Sequence, residues 1–294
     1  MENLMKMTTY FYHVCSSGTF SSLMFRCNPD FITGLNDIIV CSLKFNIEIY
    51  AFCLMNNHVH FLVKGDYVSI RRFMRMYLSR RFIIMRKKYG EIKNYADIDI
   101  CIKQIQDINY LRGVCGYILR NPMAAGMNVI PTAYPWSSAS LYFLQRDGSS
   151  PCKPLSALST RLQRRLFSTK ERLPQDLLID ENSRILPEQY VKVTEMENIF
   201  SSPSQFAYYL SKNNDLEYEA DSGILRAVKF RDDELFHSLE EISRERFGLG
   251  YQELSIENCN NSNGQEIPHN YCQGSTHKFL AARTFARPHW SPLA

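Results

Sequence analysis

The chain of 294 residues is 45% hydrophobic and 22% charged, enough to bury the core of one large domain or two ordinary ones. The apolar runs at 38–43 and 61–63 are far too short to span a bilayer, and the opening MENLMKMTTY lacks the apolar stretch of a signal peptide; a cytoplasmic protein with no membrane contact is expected. The nine cysteines form no C-x-x-C pair and lie mostly inside apolar runs, a pattern of buried free thiols rather than a disulfide framework or a cysteine-rich zinc site.

The net charge of +4 conceals an asymmetry: residues 1–150 carry 17 Lys+Arg against 10 Asp+Glu, and residues 151–294 carry 17 against 20. Within the basic half, residues 71–88 hold Arg71, Arg72, Arg75, Arg80, Arg81, Arg86, Lys87 and Lys88 with no acidic residue among them. Such a stretch is either a phosphate-backbone footprint or a solvated helix face.

In chain order, residues 8–14 are aromatic and β-branched and predict a strand, with the small polar CSSGTFSS as the loop after it. Asn28-Pro29-Asp30 opens a helix whose apolar positions Phe31, Leu35, Ile38, Ile39 and Leu43 recur until about Asn46. Residues 47–54 and 59–63 read as an antiparallel strand pair, and 69–88 as an amphipathic helix. A strand over 98–105 follows, then a helix capped by Asp107 and running to about Arg120, with Pro122 just beyond it. The order β-α-β-β-α-β-α predicts an α+β, ferredoxin-like domain, an antiparallel sheet with helices on one face, over residues 1–148. The Ser/Pro-rich text after it predicts a linker at 149–199, followed by a small helical region at 200–255, so that the C-terminal extension is mainly helical. The amphipathic stretch 228–250 fits an ordinary packed helix better than a DNA-binding one because it is acidic. The patternless 256–294 predicts a poorly ordered tail, and His237, His269, His277 and His289 form no ligand spacing.

Two constellations carry chemistry. His58 and His60 in MNNHVHFLV stand at i and i+2, so on a strand both imidazoles reach one metal ion while Val59 and Phe61 face the core. Tyr117 and Asn121 in YILRNP stand at i and i+4 on a helix, which sets a nucleophile beside an amide oxygen that could complete the ion's shell. Tyrosine, with an ordinary pKa near 10, needs a cation that polarises the scissile phosphate.

The segments MNNHVHFLV at 55–63, YILRNPMAAGM at 117–127 and YPWSS at 134–138 resemble the single-tyrosine transposases, the relatives of IS200-type elements and of the tyrosine transposases associated with repetitive extragenic palindromes. The resemblance covers about residues 8–145 and implies an HUH fold binding Mg2+ or Mn2+. His58, His60 and Asn121 would be the metal ligands, and Tyr117 the nucleophile that leaves a 5′-phosphotyrosyl link and a free 3′-hydroxyl on single-stranded or hairpin DNA. Arg120 would join the basic helix in contacting DNA. Asn56 stands where relatives often have proline, and Ala124 where many carry arginine. Two other readings remain open: a domesticated, non-catalytic protein that binds repeated palindromes, and a metal phosphoesterase in which the histidines activate water and Tyr117 is dispensable. The resemblance accommodates a monomer or a homodimer.

Overall fold

The computed structural model describes residues 10–17, 23–90, 98–144 and 151–212. All of them belong to one compact unit, Met1–Arg226; a second unit, Ala227–Ala294, and with it the expected helix at 228–250 and the tail at 256–294, lies outside the described residues.

The first part runs β1 (Tyr10–Ser16), α1 (Asn28–Phe45), β2 (Glu48–Leu54), β3 (Val59–Gly65), α2 (Tyr67–Tyr89), β4 (Ile100–Ile105) and α3 (Ile108–Ala124). This is the predicted order, and local chemistry sets the boundaries. At the start of α1, Asp30 Oδ2 accepts from the Arg26 amide at 2.9 Å and the Cys27 amide at 3.3 Å; Asn46, left-handed at φ 52°, ends the helix. The Asp66 carboxylate caps α2 by accepting from Ser69 N at 2.9 Å, and Asp107 caps α3 by accepting from the Asn109 and Tyr110 amides. Each such cap contributes on the order of 1 kcal/mol.

The four strands form an antiparallel sheet in the order β2-β3-β1-β4, the ferredoxin-like arrangement. Register decides which side chains share a face. Phe61 lies opposite Val14 and Phe52, and its ring packs edge-on against Phe73 and Tyr77 of α2. Val59, Phe61 and Val63 therefore point to the layer made by α1 and α2. The alternate residues of the same strand, His60 and Leu62, point the other way, and it is there that α3 lies, with Tyr117 against His60. α1 and α2 share one face, as expected, whereas α3, expected on that same face, covers the opposite one; Leu111, Val114, Ile118 and Leu119 are apolar enough to bury a second sheet face.

Residues 151–200 are not a linker. They carry two short paired strands, β5 (Lys153–Pro154) and β6 (Leu178–Ile179), and helices α4 (Thr160–Phe167) and α5 (Val193–Phe200); α6 (Pro203–Ser211) follows. Leu155, Phe167, Leu173, Leu177, Ile179 and Ile185 form a small core with Ile39 and Val40 on the outer side of α1. Asn36 pins this layer by donating to Ser183 O at 2.9 Å and accepting from Ile185 N at 2.8 Å. Further on, Lys192 N donates to Ile49 O on the edge of β2, and Met196, Phe200 and Phe206 enter the main core. The Tyr134–Ser138 segment covers the rest of that edge: Leu54 N donates to Trp136 O, Ser138 N to Phe52 O, and Tyr134 OH to Leu54 O. The strand edge that could otherwise recruit another chain is thereby occupied.

Candidate metal and nucleophile centre

β3 enters the sheet directly after His58, so strand alternation sets His58 and His60 on the α3 face with ring centroids 5.0 Å apart. α3 lies across them, and Tyr117 stands edge-on to His60 with ring centroids at 5.5 Å. One turn on, Asn121 Oδ1 is 3.4 Å from His58 Nε2. The four residues singled out from sequence, 58, 60, 117 and 121, are thus brought into one cluster.

Pro122 explains how Asn121 is aimed. It stands inside the last turn of α3 rather than beyond it, and having no N–H it leaves the Ile118 carbonyl without its helical donor. The Asn121 side-chain amide supplies the replacement, donating to Tyr117 O at 3.1 Å and Ile118 O at 3.3 Å. With both amide hydrogens turned into the helix, Oδ1 faces His58. On the other side of the gap, the tautomer in which His58 Nδ1–H donates to Asn57 Oδ1 at 2.8 Å leaves a lone pair on Nε2. In that tautomer two acceptors face one another, an arrangement that a cation satisfies; in the other, Nε2–H donates to Asn121 Oδ1.

Burial keeps the imidazoles neutral, the form in which they ligate metals. It lowers His58 to about 4 against a weaker opposing effect of Asn121, and lowers His60 well below the ordinary range with help from His58 and His13. Two neutral nitrogens, from His58 and His60, and the Asn121 amide oxygen form a donor set that fits a hard divalent ion with positions left for water or phosphate oxygen.

His13 is a member of this cluster that sequence reasoning missed. It reaches His60 from β1, Nε2 to Nδ1 at 3.1 Å, and its ring centroid is 5.7 Å from that of Tyr117. Burial, and then Lys103, lower its pKa to about 4. The cue was a lone histidine in a strand, with nothing local to show that the strand lies beside β3.

The basic residues divide. Arg81 is fully buried: it pairs with Asp37 and donates to Asp30 O and Thr33 Oγ1, and therefore cannot contact DNA. Arg80 pairs with the same carboxylate and donates to Phe167 O and Ser168 O, while Lys88 pairs with Asp30 at 2.7 Å. Arg120, 5% exposed, donates to Tyr209 O at 2.8 Å. These four serve to join helices, because a guanidinium or ammonium beside a buried carboxylate or carbonyl is held there by the desolvation cost of leaving it alone. Arg71, Arg72, Arg75, Arg86 and Lys87 are exposed, on a helix that lies across the sheet from Tyr117.

Residues 9–98, which include β1 to β3 and both histidines of the H-x-H pair, match the family model described as "Transposase IS200 like". This segment of the chain is similar to an IS200-like transposase domain. Among solved structures, the chain is similar to the REP-associated tyrosine transposase bound to a REP hairpin, at 16% identity and a TM-score of 0.35, over 48% of this chain and 82% of that one. It is also similar to a Deinococcus radiodurans R1 protein described as a candidate transposase, at 12% identity and a TM-score of 0.29, over 44% of this chain and 99% of that one. No curated protein matches the chain. No helix among the described residues is long and apolar enough to cross a membrane.

Proposed function

We propose that this protein is a transposase that cleaves and rejoins single-stranded, hairpin-bearing DNA with Tyr117 as nucleophile. The observation that carries the reading is the convergence of Tyr117, His60, His58 and Asn121 on one sheet face, with His58 Nε2 and Asn121 Oδ1 3.4 Å apart, beside a segment similar to IS200-like transposases. His58, His60 and Asn121 would hold Mg2+ or Mn2+, which when bound polarises the scissile phosphate and stabilises the departing oxygen. Tyr117 attacks phosphorus, forming a Tyr–O–P bond as the P–O3′ bond breaks; the phenol gives up its proton and the 3′-oxygen gains one. The 5′-phosphotyrosyl link conserves the phosphodiester, so a later 3′-hydroxyl can reverse the step without ATP. The α3–sheet packing keeps the Tyr117 ring, 5% exposed, in fixed relation to the histidines and limits the access of competing water. The exposed Arg71, Arg72, Arg75, Arg86 and Lys87 would hold flanking phosphates rather than the scissile one, since α2 is on the far face.

The test is to incubate the full chain with 5′-labelled and 3′-labelled hairpin strands and Mn2+, then to resolve labelled protein on a denaturing gel. The expected result is a metal-dependent adduct carrying only the 3′-labelled fragment, absent in Tyr117→Phe and His58→Ala. DNA binding with no adduct on any strand would select the non-catalytic, palindrome-binding reading, and hydrolysis surviving Tyr117→Phe would select the water-activating phosphoesterase.

A further inference from the structure

β1 and β3 bring a second set of donors together beneath Tyr117. Cys15 lies directly opposite His60 in the β1–β3 register, and His13 sits two residues earlier on the same face of β1. The donor atoms of His13, Cys15 and His60 all lie within 4.8 Å of one another, and all three residues are buried. His13 Nε2 and His60 Nδ1 are 3.1 Å apart, close to the roughly 3.3 Å expected of two imidazole nitrogens on one tetrahedral ion with Zn–N of about 2.0–2.1 Å. The Cys101 thiol, from β4 on the other side of β1, hydrogen-bonds Cys15.

We propose that His13, Cys15 and His60 form a second cation site, selective for a thiophilic divalent ion of the zinc class. The set contains two imidazoles and a thiol and no oxygen, the reverse of what Mg2+ or Mn2+ prefers, so it is chemically distinct from the His58/His60/Asn121 set although His60 belongs to both. Binding exchanges the Cys15 S–H proton for the metal–sulfur bond and releases that proton to solvent. The two neutral imidazoles exchange their mutual hydrogen bond for lone pairs directed at the ion, and the ring that donated that bond moves its proton to its other nitrogen; His60, then protonated on Nε2, cannot also hold the first ion, so the two sites are filled as alternatives. Such an ion would tie β1 to β3 under Tyr117. The site stands whether or not Tyr117 is a nucleophile.

The experiment is titration of the full chain with Co2+ alone, followed by optical absorption, and then displacement by Zn2+. The expected result is a saturable thiolate-to-cobalt charge-transfer band, bleached by Zn2+, lost in Cys15→Ser, Cys15→Ala and His13→Gln, and retained in His58→Ala. No thiolate band in the folded protein, a band that survives the Cys15 variants, or one lost in His58→Ala but kept in His13→Gln would overturn the proposal. Because Cys15 is buried and its variants can unfold, X-ray absorption of the Zn2+-loaded chain in a Cys152→Ser background supplies a second reading. One sulfur with two imidazoles around the ion supports the site, and a shell without sulfur rejects it.

Discussion

Pro122 is the residue whose effect on stability and on the site should run in opposite directions. Pro122→Ala restores the donor that Ile118 O lacks and removes a helix-interior proline, so the melting temperature should rise, by the equivalent of about 1–3 kcal/mol. The same change frees the Asn121 amide to rotate and should weaken Mn2+ binding, read by electron paramagnetic resonance titration; unchanged affinity would show that the helix carbonyls do not aim Oδ1. Arg81 and Arg75 stand on the same helix yet should behave as different residues. Arg81→Met leaves Asp37 buried with only Arg80, and a loss of about 3–5 kcal/mol is expected in a urea melt. Arg71, Arg72 and Arg75 replaced together by Ala should leave the melt almost unmoved. They should instead flatten the salt dependence of single-strand binding by roughly 0.7 in slope for each phosphate that is no longer neutralised, with no change in adduct yield at saturating DNA.

Between elements, the α1–α2 contact is governed by a carboxylate that titrates in the folded state at a lower pH than in the unfolded chain. Burial pushes Asp30 up, but the Lys88 ammonium, the Arg26 amide and the Tyr89 hydroxyl together outweigh it, and the net displacement is downward. A depressed acid stabilises the fold above its unfolded pKa, near 4, and that contribution disappears as pH falls through the folded value. Thermal melts from pH 6 to pH 2 should therefore show a loss below about pH 4 that is smaller in Asp30→Asn; parallel curves would remove Asp30 from the account. The α3–α6 contact depends on Gly116, where an added Cβ would come within 2.5 Å of Tyr209 O. Gly116→Val should lift α6 away and speed hydrogen exchange of its amides before those of the sheet, since a backbone carbonyl has no rotamer with which to yield.

For the whole molecule, the segment after the YPWSS turn decides how stable the half that carries the four-stranded sheet is. Truncation at residue 148 removes Val191, Met196, Phe200 and Phe206 from the main core and uncovers Ile39 and Val40 on α1. At about 1.5–3 kcal/mol for each fully buried side chain, the loss would consume most of a domain's usual net stability. The truncated chain should bind a hydrophobic dye and lose its cooperative melt, whereas truncation at 212 should retain both the fold and Mn2+ binding.

Local periodicity was enough to order β1 to α3, to put His58 and His60 on one face, and to set Tyr117 one turn before Asn121, because strand and helix repeats are properties of neighbouring residues. Tertiary structure alone decided the rest. β1 lies between β3 and β4, which brings His13 and Cys15 to His60; α3 crosses the face opposite the basic helix; four of the basic residues are held by Asp30, Asp37 and backbone carbonyls; and Ser183 sits on Asn36 across 147 positions of sequence. No short-range pattern encodes these contacts, since each depends on which surfaces remain to be buried after the local elements have formed.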